Sequence, residues 1–202
     1  MPDRKMARTA RPIHELIARR WSARAIDPDR PVARDHVVAL LEAARWAPSC
    51  FGDEPWRFLV WDRYEDEAAW QEAFDCLAEG NRAWVRKCPV LIAAVADSVF
   101  RANGKPNRWA QYDTGAASEN LCLQAAALGL VAHQMGGFDR AKLAAGFGIP
   151  DTFTPMAMIA VGHPGDPQDL PEKNRKDEES ERSRRPFAEA CFNGTWGRGL
   201  SA

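Results

Sequence analysis

The chain has 202 residues, 46% of them apolar and 27% charged, with a formal net charge of −1. That length suits one substantial core, and the near-neutral charge argues against a nucleic-acid surface, which shows as a basic excess on one face. No apolar run approaches the roughly 18 to 20 residues that span a bilayer, and the first residues lack the apolar centre of a secretory signal, so a soluble cytoplasmic domain without a membrane or nucleic-acid partner is expected.

The five cysteines (Cys50, Cys76, Cys88, Cys122, Cys191) are odd in number and contain no C-x-x-C. Neither a disulfide framework nor a thiolate metal site is implied. The four histidines also lack metal-ligand spacing. Eight tryptophans offer large flat surfaces, which suit either interfaces or packing on planar ligands.

In chain order, Ile13, Leu16, Ile17 and Arg20 recur at helical spacing, with Pro12 suited to a first turn, and predict a short helix ending near Trp21. The run Arg20-Trp21-Ser22-Ala23-Arg24 follows, with two guanidinium forks and a hydroxyl that suit phosphate oxygens. A solvated basic helix end is the plainer alternative. Residues 34–46 carry Val37, Val38, Leu40, Leu41 and Ala44 at helical period until Pro48 stops the pattern. Residues 57–62 are aromatic and β-branched and predict a strand. Residues 65–79 read as a helix, with 81–85 continuing or restarting it.

The continuous apolar run 90–96, bounded by Pro89 and Asp97, predicts a strand buried on both faces. Residues 108–128 form the longest helical pattern, small and apolar enough to predict packing on all sides. Residues 130–135 predict a strand ending in Gly136-Gly137, where a backbone can approach a ligand closely. Asp139 is placed to cap a helix over 140–147, and 156–162 predicts a further buried strand after Pro155. Taken alone, the mixed charges of 173–185 read as a flexible solvated loop, after which Phe187, Phe192 and Trp196 restore apolar anchors.

This order predicts one α+β or mixed α/β layered domain over 1–202, with a polar arm from about 164 to 202. There is no G-x-G-x-x-G at a strand-to-helix junction and no G-x-x-x-x-G-K-[ST], so Rossmann and P-loop readings lose their main support.

Several motifs in order resemble the FMN-dependent nitroreductase family. They are Arg20 to Arg24, Leu40-Leu41-Glu42-Ala43-Ala44-Arg45-Trp46-Ala47-Pro48-Ser49, Gly52-Asp53-Glu54-Pro55-Trp56-Arg57-Phe58, the helix around Asp113 to Leu121, and Arg182-Ser183-Arg184-Arg185-Pro186-Phe187. The resemblance runs from about Ile13 to Phe187. It implies a mainly antiparallel mixed sheet sandwiched by helices, in a homodimer whose two sites are shared between subunits.

The resemblance also implies the contacts. Arg20 and Ser22, beside Trp21, would hold the FMN phosphate, with Arg182 or Arg184 completing the grip. Arg24 would face N1 and O2 of the flavin, where a cation favours the reduced anion. Pro48, Ser49, Cys50 and Gly52 would meet the partner's flavin. In Gln134-Met135-Gly136-Gly137, the Gly136 N–H is the preferred N5 donor, flanked by the backbone of Met135 and Gly137. Gly52 and Glu54 depart from the family's asparagine and glutamine and remove an amide from the flavin edge. Trp56, His133 and Cys122 read as structural.

The implied activity is ping-pong transfer of a hydride from NADH or NADPH to FMN and on to a nitroaromatic, quinone or related small acceptor, with no side-chain nucleophile or acid/base dyad. Alternatives of the same fold are a dedicated flavin dehydrogenase or dehalogenase, and a flavin-binding protein without turnover.

Overall fold

The computed structural model describes residues 5–86 and 88–201. Its centre is a four-stranded sheet of β1 (Trp56–Asp62), β2 (Val90–Asp97), β3 (Val131–Met135) and β4 (Phe153–Gly162), in the order β1-β2-β4-β3 with every pairing antiparallel. The apolar run of β2 is buried along almost its whole length, as expected of an inner strand.

Pleating sends alternate side chains of β2 into two separate cores. Leu91, Ala93 and Val95 pack on one face with Trp70, Ala73, Leu143 and Met158, whereas Val90, Ile92 and Ala94 pack on the other with Val37, Leu40, Leu121 and Ile159. The first core is covered by α3 (Glu67–Phe74), α4 (Glu79–Val85) and α6 (Arg140–Gly146), and the second by α2 (Arg34–Arg45) and α5 (Ala110–Ala127). The sheet is thus sandwiched by helices. Fully burying a side chain such as Leu40 or Ile92 is worth about 1.5–3 kcal/mol, so both layers contribute to holding the sheet.

Helix α1 (Glu15–Arg19) starts later than expected, because the His14 Nδ1 accepts from the Leu16 N–H at 3.2 Å and caps it there, leaving Pro12 outside. The pattern over 65–79 does not make one helix. Asp66 caps α3 by accepting from the Ala69 N–H, and the chain leaves the helix after Phe74 because tertiary bonds claim the next residues. Leu77 bridges Phe138, Asp139 N–H donates to the Cys76 carbonyl at 2.7 Å, and Ala78 N–H donates to the Gly137 carbonyl at 3.0 Å.

Strand β4 begins at Phe153 and contains Pro155. Pro155 is tolerated because it pairs with Val95 at a register shift, where the ladder is already interrupted. Asp139 caps α6 through the Lys142 N–H, as expected. Trp56 is a core residue.

Three expectations need correction. Helix α5 is not packed on all sides within the protomer: Gln111, Tyr112 and Gly115 are exposed while Asp113, Thr114, Ala117, Ser118 and Leu121 are buried. The polar segment 173–185 is not simply a solvated loop, since α7 (Glu172–Glu179) forms within it and buries Glu178. Composition misled because one buried carboxylate anchors an otherwise solvated helix. Beyond it lie α8 (Phe187–Ala190) and a small turn where Phe192 bridges Gly199, and here too an expectation fails: Phe187 and Trp196 are exposed rather than apolar anchors within the protomer.

Candidate functional site

At Arg20 the backbone leaves α1 for an extended conformation (φ −60°, ψ 127°). Burial then alternates: Ala23 and Ala25 turn inward, while Ser22 is exposed and Arg20 and Arg24 are half-buried. The period of two sets the functional side chains on one face. The run therefore works as an extended segment rather than as a helix end.

The C-terminal arm returns to this face. Arg182 donates through Nη1 to the carbonyls of Lys5 (2.9 Å) and Ala18 (3.0 Å), which ties the arm to the start of the chain and to α1. A cavity of about 370 Å3 is lined by Arg20, Trp21, Ser22, Arg24, Arg182 and Arg184, together with Lys5 and the carboxylates of Asp177 and Glu181. Lys5 Nζ lies 4.4 Å from the Trp21 ring centroid, which holds the indole at the cavity wall.

Two carboxylates partly balance the arginines, with Arg20 Nε 3.1 Å from Glu119 and Arg24 Nη1 3.6 Å from Asp177. The balance is incomplete. The pKa of Arg182 is pushed down by burial and then by the nearby charges of Arg20 and Arg184. Gathering guanidinium groups this closely is unfavourable alone and becomes favourable around a multivalent anion, so the donor set fits a phosphate monoester.

Strand β3 reaches the same segment from below. His133 Nδ1 lies 3.0 Å from the Ala23 carbonyl oxygen, and the imidazole packs on Trp84 with centroids 4.6 Å apart. Burial drives the His133 pKa down to about 4, so the ring is neutral at pH 7 and its Nδ1–H donates. Three residues further on, Gly136 is exposed with open space where a Cβ would stand. Gly137 has room for a Cβ only if the side-chain amide of Asn81, 2.9 Å from that position, shifts. Its carbonyl accepts from Asn81 Nδ2 at 2.9 Å as well as from Ala78. Met135 is buried, and Gln134 Nε2 is directed to Cys122 Sγ at 3.4 Å.

The loop carrying Pro48, Ser49, Cys50 and Gly52 stands apart. Three cavities that border Arg20 are lined by none of these residues. The loop nevertheless has a fixed shape. Phe51 (φ 57°), Gly52 (φ 64°) and Glu54 (φ 51°) all lie in the left-handed region, which is unfavourable for the two non-glycine residues.

Hydrogen bonds hold that shape. Cys50 N–H donates to Asp113 Oδ2 at 2.9 Å, and Glu54 N–H donates to Ser49 Oγ at 3.1 Å. The buried Asp53 accepts from Arg101 N–H at 3.0 Å and from Asn107 Nδ2 at 3.2 Å. Phe51 is left 93% exposed, edge-on to Phe100 at 6.0 Å. Sequence reasoning missed Asp53, Asp113 and Glu178, because a carboxylate that accepts only backbone and amide N–H groups has no spacing signature.

A larger cavity of about 530 Å3 lies along the inward side of the 20–25 segment, lined mainly by apolar residues including Ala23, Ala25, Cys122, Leu130 and Ala132. Burial raises the Cys122 thiol to about 11, so it is an inert packing group. Among the described residues no cluster of His, Cys, Asp and Glu could hold a metal, and no helix is long and apolar enough to cross a membrane.

A sheet covered on both faces, with an extended arginine-serine segment met by a basic arm at one cavity, defines an α+β protein with a cluster of cations at its surface. The profile of the Nitroreductase family matches residues 17–163, and the chain belongs to that family. Over 127 residues it is 36% identical to an uncharacterized 15.4 kDa protein of Mycolicibacterium smegmatis, covering 61% of this chain and 82% of that one. A protein of Methanothermobacter thermautotrophicus, provisionally named NADH dehydrogenase/NAD(P)H nitroreductase, is 30% identical over 158 residues, with 75% of this chain and 77% of that one covered.

A crystal structure described as an oxidoreductase containing FMN superposes with a TM-score of 0.89 at 32% identity, covering 97% of this chain and 98% of that one. A nitroreductase-like protein of Desulfovibrio desulfuricans, solved in complex with FMN, gives a TM-score of 0.72 at 28% identity, covering 93% of this chain and 99% of that one.

Proposed function

We propose that the chain is an FMN-dependent NAD(P)H oxidoreductase acting on nitroaromatic, quinone or related small acceptors. The observation that carries this reading is the convergence of Arg20, Ser22, Arg24, Arg182 and Arg184 on one cavity. Family membership and the FMN-containing structural relatives support it.

Arg20, Ser22 and Arg184 hold the phosphate, and Arg182 braces the arm while adding its charge. Arg24 faces the pyrimidine edge of the flavin, and the exposed Gly136 backbone serves its N5 side without a Cβ in the way. When bound, FMN supplies the redox chemistry, accepting a hydride from the nicotinamide donor and passing two electrons to the acceptor. The protein holds, orients and tunes, which is consistent with a site rich in cations and lacking a nucleophile–base pair.

A second copy of the chain completes the site with its 48–54 loop. The exposed face of α5 and the exposed Trp46, Phe51 and Tyr112 support a homodimer. Anaerobic mixing of FMN-loaded protein with NADH or NADPH, followed by a panel of acceptors, tests the reading. Bleaching and then acceptor-dependent recovery of the flavin spectrum is expected. A protein that takes up no FMN, or whose FMN neither nucleotide reduces, would refute it.

A further inference from the structure

We infer that Glu178 is a positioning residue that locks the C-terminal arm onto the cofactor segment and so sets the spacing of the phosphate-binding arginines. It rests on the FMN reading above. Glu178 is 3% exposed on a helix whose other residues are mostly solvated. Its two carboxylate oxygens each take a backbone donor from the segment, Oε2 from Arg24 N–H at 2.9 Å and Oε1 from Ala25 N–H at 3.1 Å.

A buried carboxylate is costly unless its charge is well bonded, and charge-assisted bonds to backbone N–H groups are among the stronger ones available. The contact is made to the main chain, so it fixes the path of the segment whatever side chains the segment bears. Adjacent groups reinforce it. Asp177 pairs with the Arg24 guanidinium, and Lys5 Nζ donates to the carbonyls of Asp177 and Ser180.

The other side of the segment is already fixed. Ala23 meets His133, Gly165 N–H donates to the Ala25 carbonyl at 2.9 Å, and Asp27 N–H donates to the His163 carbonyl at 2.9 Å. Glu178 is therefore the main-chain link that registers the arm, carrying Arg182 and Arg184 four and six residues later, against the segment bearing Arg20 and Ser22, while the Arg182 bonds anchor the arm separately to Lys5 and Ala18. Both of its contacts are to main-chain N–H groups of the segment.

The test compares FMN with riboflavin, which has the same ring and ribityl chain but no phosphate. Dissociation constants are measured by fluorescence quenching for wild type and Glu178→Gln, with circular dichroism to check the apoprotein fold. The expected result is FMN affinity weakened about tenfold, as loss of one charge-assisted contact predicts, with riboflavin affinity changed less than twofold. An equal loss for both flavins, or no loss for either, overturns the positioning role. Should Glu178→Gln not fold, Glu178→Asp, which keeps the charge and shortens the reach, is held to the same criterion. Wild-type protein that binds neither flavin would instead refute the FMN reading itself.

Discussion

The His133 imidazole and the Ala23 carbonyl, 3.0 Å apart, form a hydrogen bond that couples strand β3 to the arginine-bearing segment. Burial holds the His133 pKa near 4, below its ordinary 6.5. The folded chain thus binds fewer protons than the unfolded chain between those values, and stability rises with pH across that window. Stability is full above about 6.5 and is lost as pH falls toward 4, by up to roughly 3 kcal/mol from this group. Urea unfolding at pH 7.5 and 5 measures the drop. In His133→Gln the drop should shrink by most of that amount, and an unchanged slope would exclude His133 as its source.

Arg20 and Arg24 share a face but have different partners, Glu119 and Asp177. Arg20→Ala should raise the FMN dissociation constant at least tenfold, the loss of a charge-assisted contact to phosphate. Arg24→Ala should chiefly shift the reduction potential of bound FMN downward, because a cation at the pyrimidine edge stabilises the reduced anion. Equilibrium dialysis and spectroelectrochemistry separate the two, and identical effects from both variants would defeat the division.

Arg182 and Arg184 differ in how deeply the fold uses them. Arg182 is half-buried and satisfies two distant carbonyls, whereas Arg184 is exposed and, among the described residues, donates to the neighbouring Ser183 carbonyl. Arg182→Ala should destabilise the apoprotein by about 1–3 kcal/mol, the penalty for stranding those acceptors. Arg184→Ala should leave the apoprotein melting temperature within a degree or two while weakening FMN. Equal melting shifts in thermal scans would contradict this assignment.

Asp53 holds the strained 48–54 loop against the 101–107 segment. Replacing it with alanine leaves the Arg101 N–H and the Asn107 amide without their acceptor. A loss of about 1–3 kcal/mol is expected, with accelerated proteolysis at the loop. Limited proteolysis with mass-spectrometric mapping reads this directly, and cleavage no faster than in the wild type would show that the loop keeps its shape without the carboxylate.

Much of the sheet was legible because β2 is a continuous apolar run bounded by Pro89 and Asp97 and the apolar part of β4 stands out, although β4 runs through the Pro155 expected to precede it; pleating then dictates two cores. Helix boundaries were less legible. The break after Phe74 comes from bonds to residues 137–139, which lie some sixty positions away and leave no local mark. At the site, arginines and serine advertise themselves by their donor chemistry. Glu178 does not, because it stands in a run of charges and only the return of the chain buries it. The 48–54 loop was readable as a motif, but its left-handed backbone at Phe51 and Glu54 was not, since neither residue is a glycine.

Strand β4 closes the sheet at Gly162, whereas Arg182 and Arg184 lie some twenty residues further along. Neither arginine belongs to the two hydrophobic layers that cover the sheet. The stretch of chain that makes the scaffold and the stretch that carries the proposed anion clasp are therefore separate, so the clasp can be altered without cutting into either core.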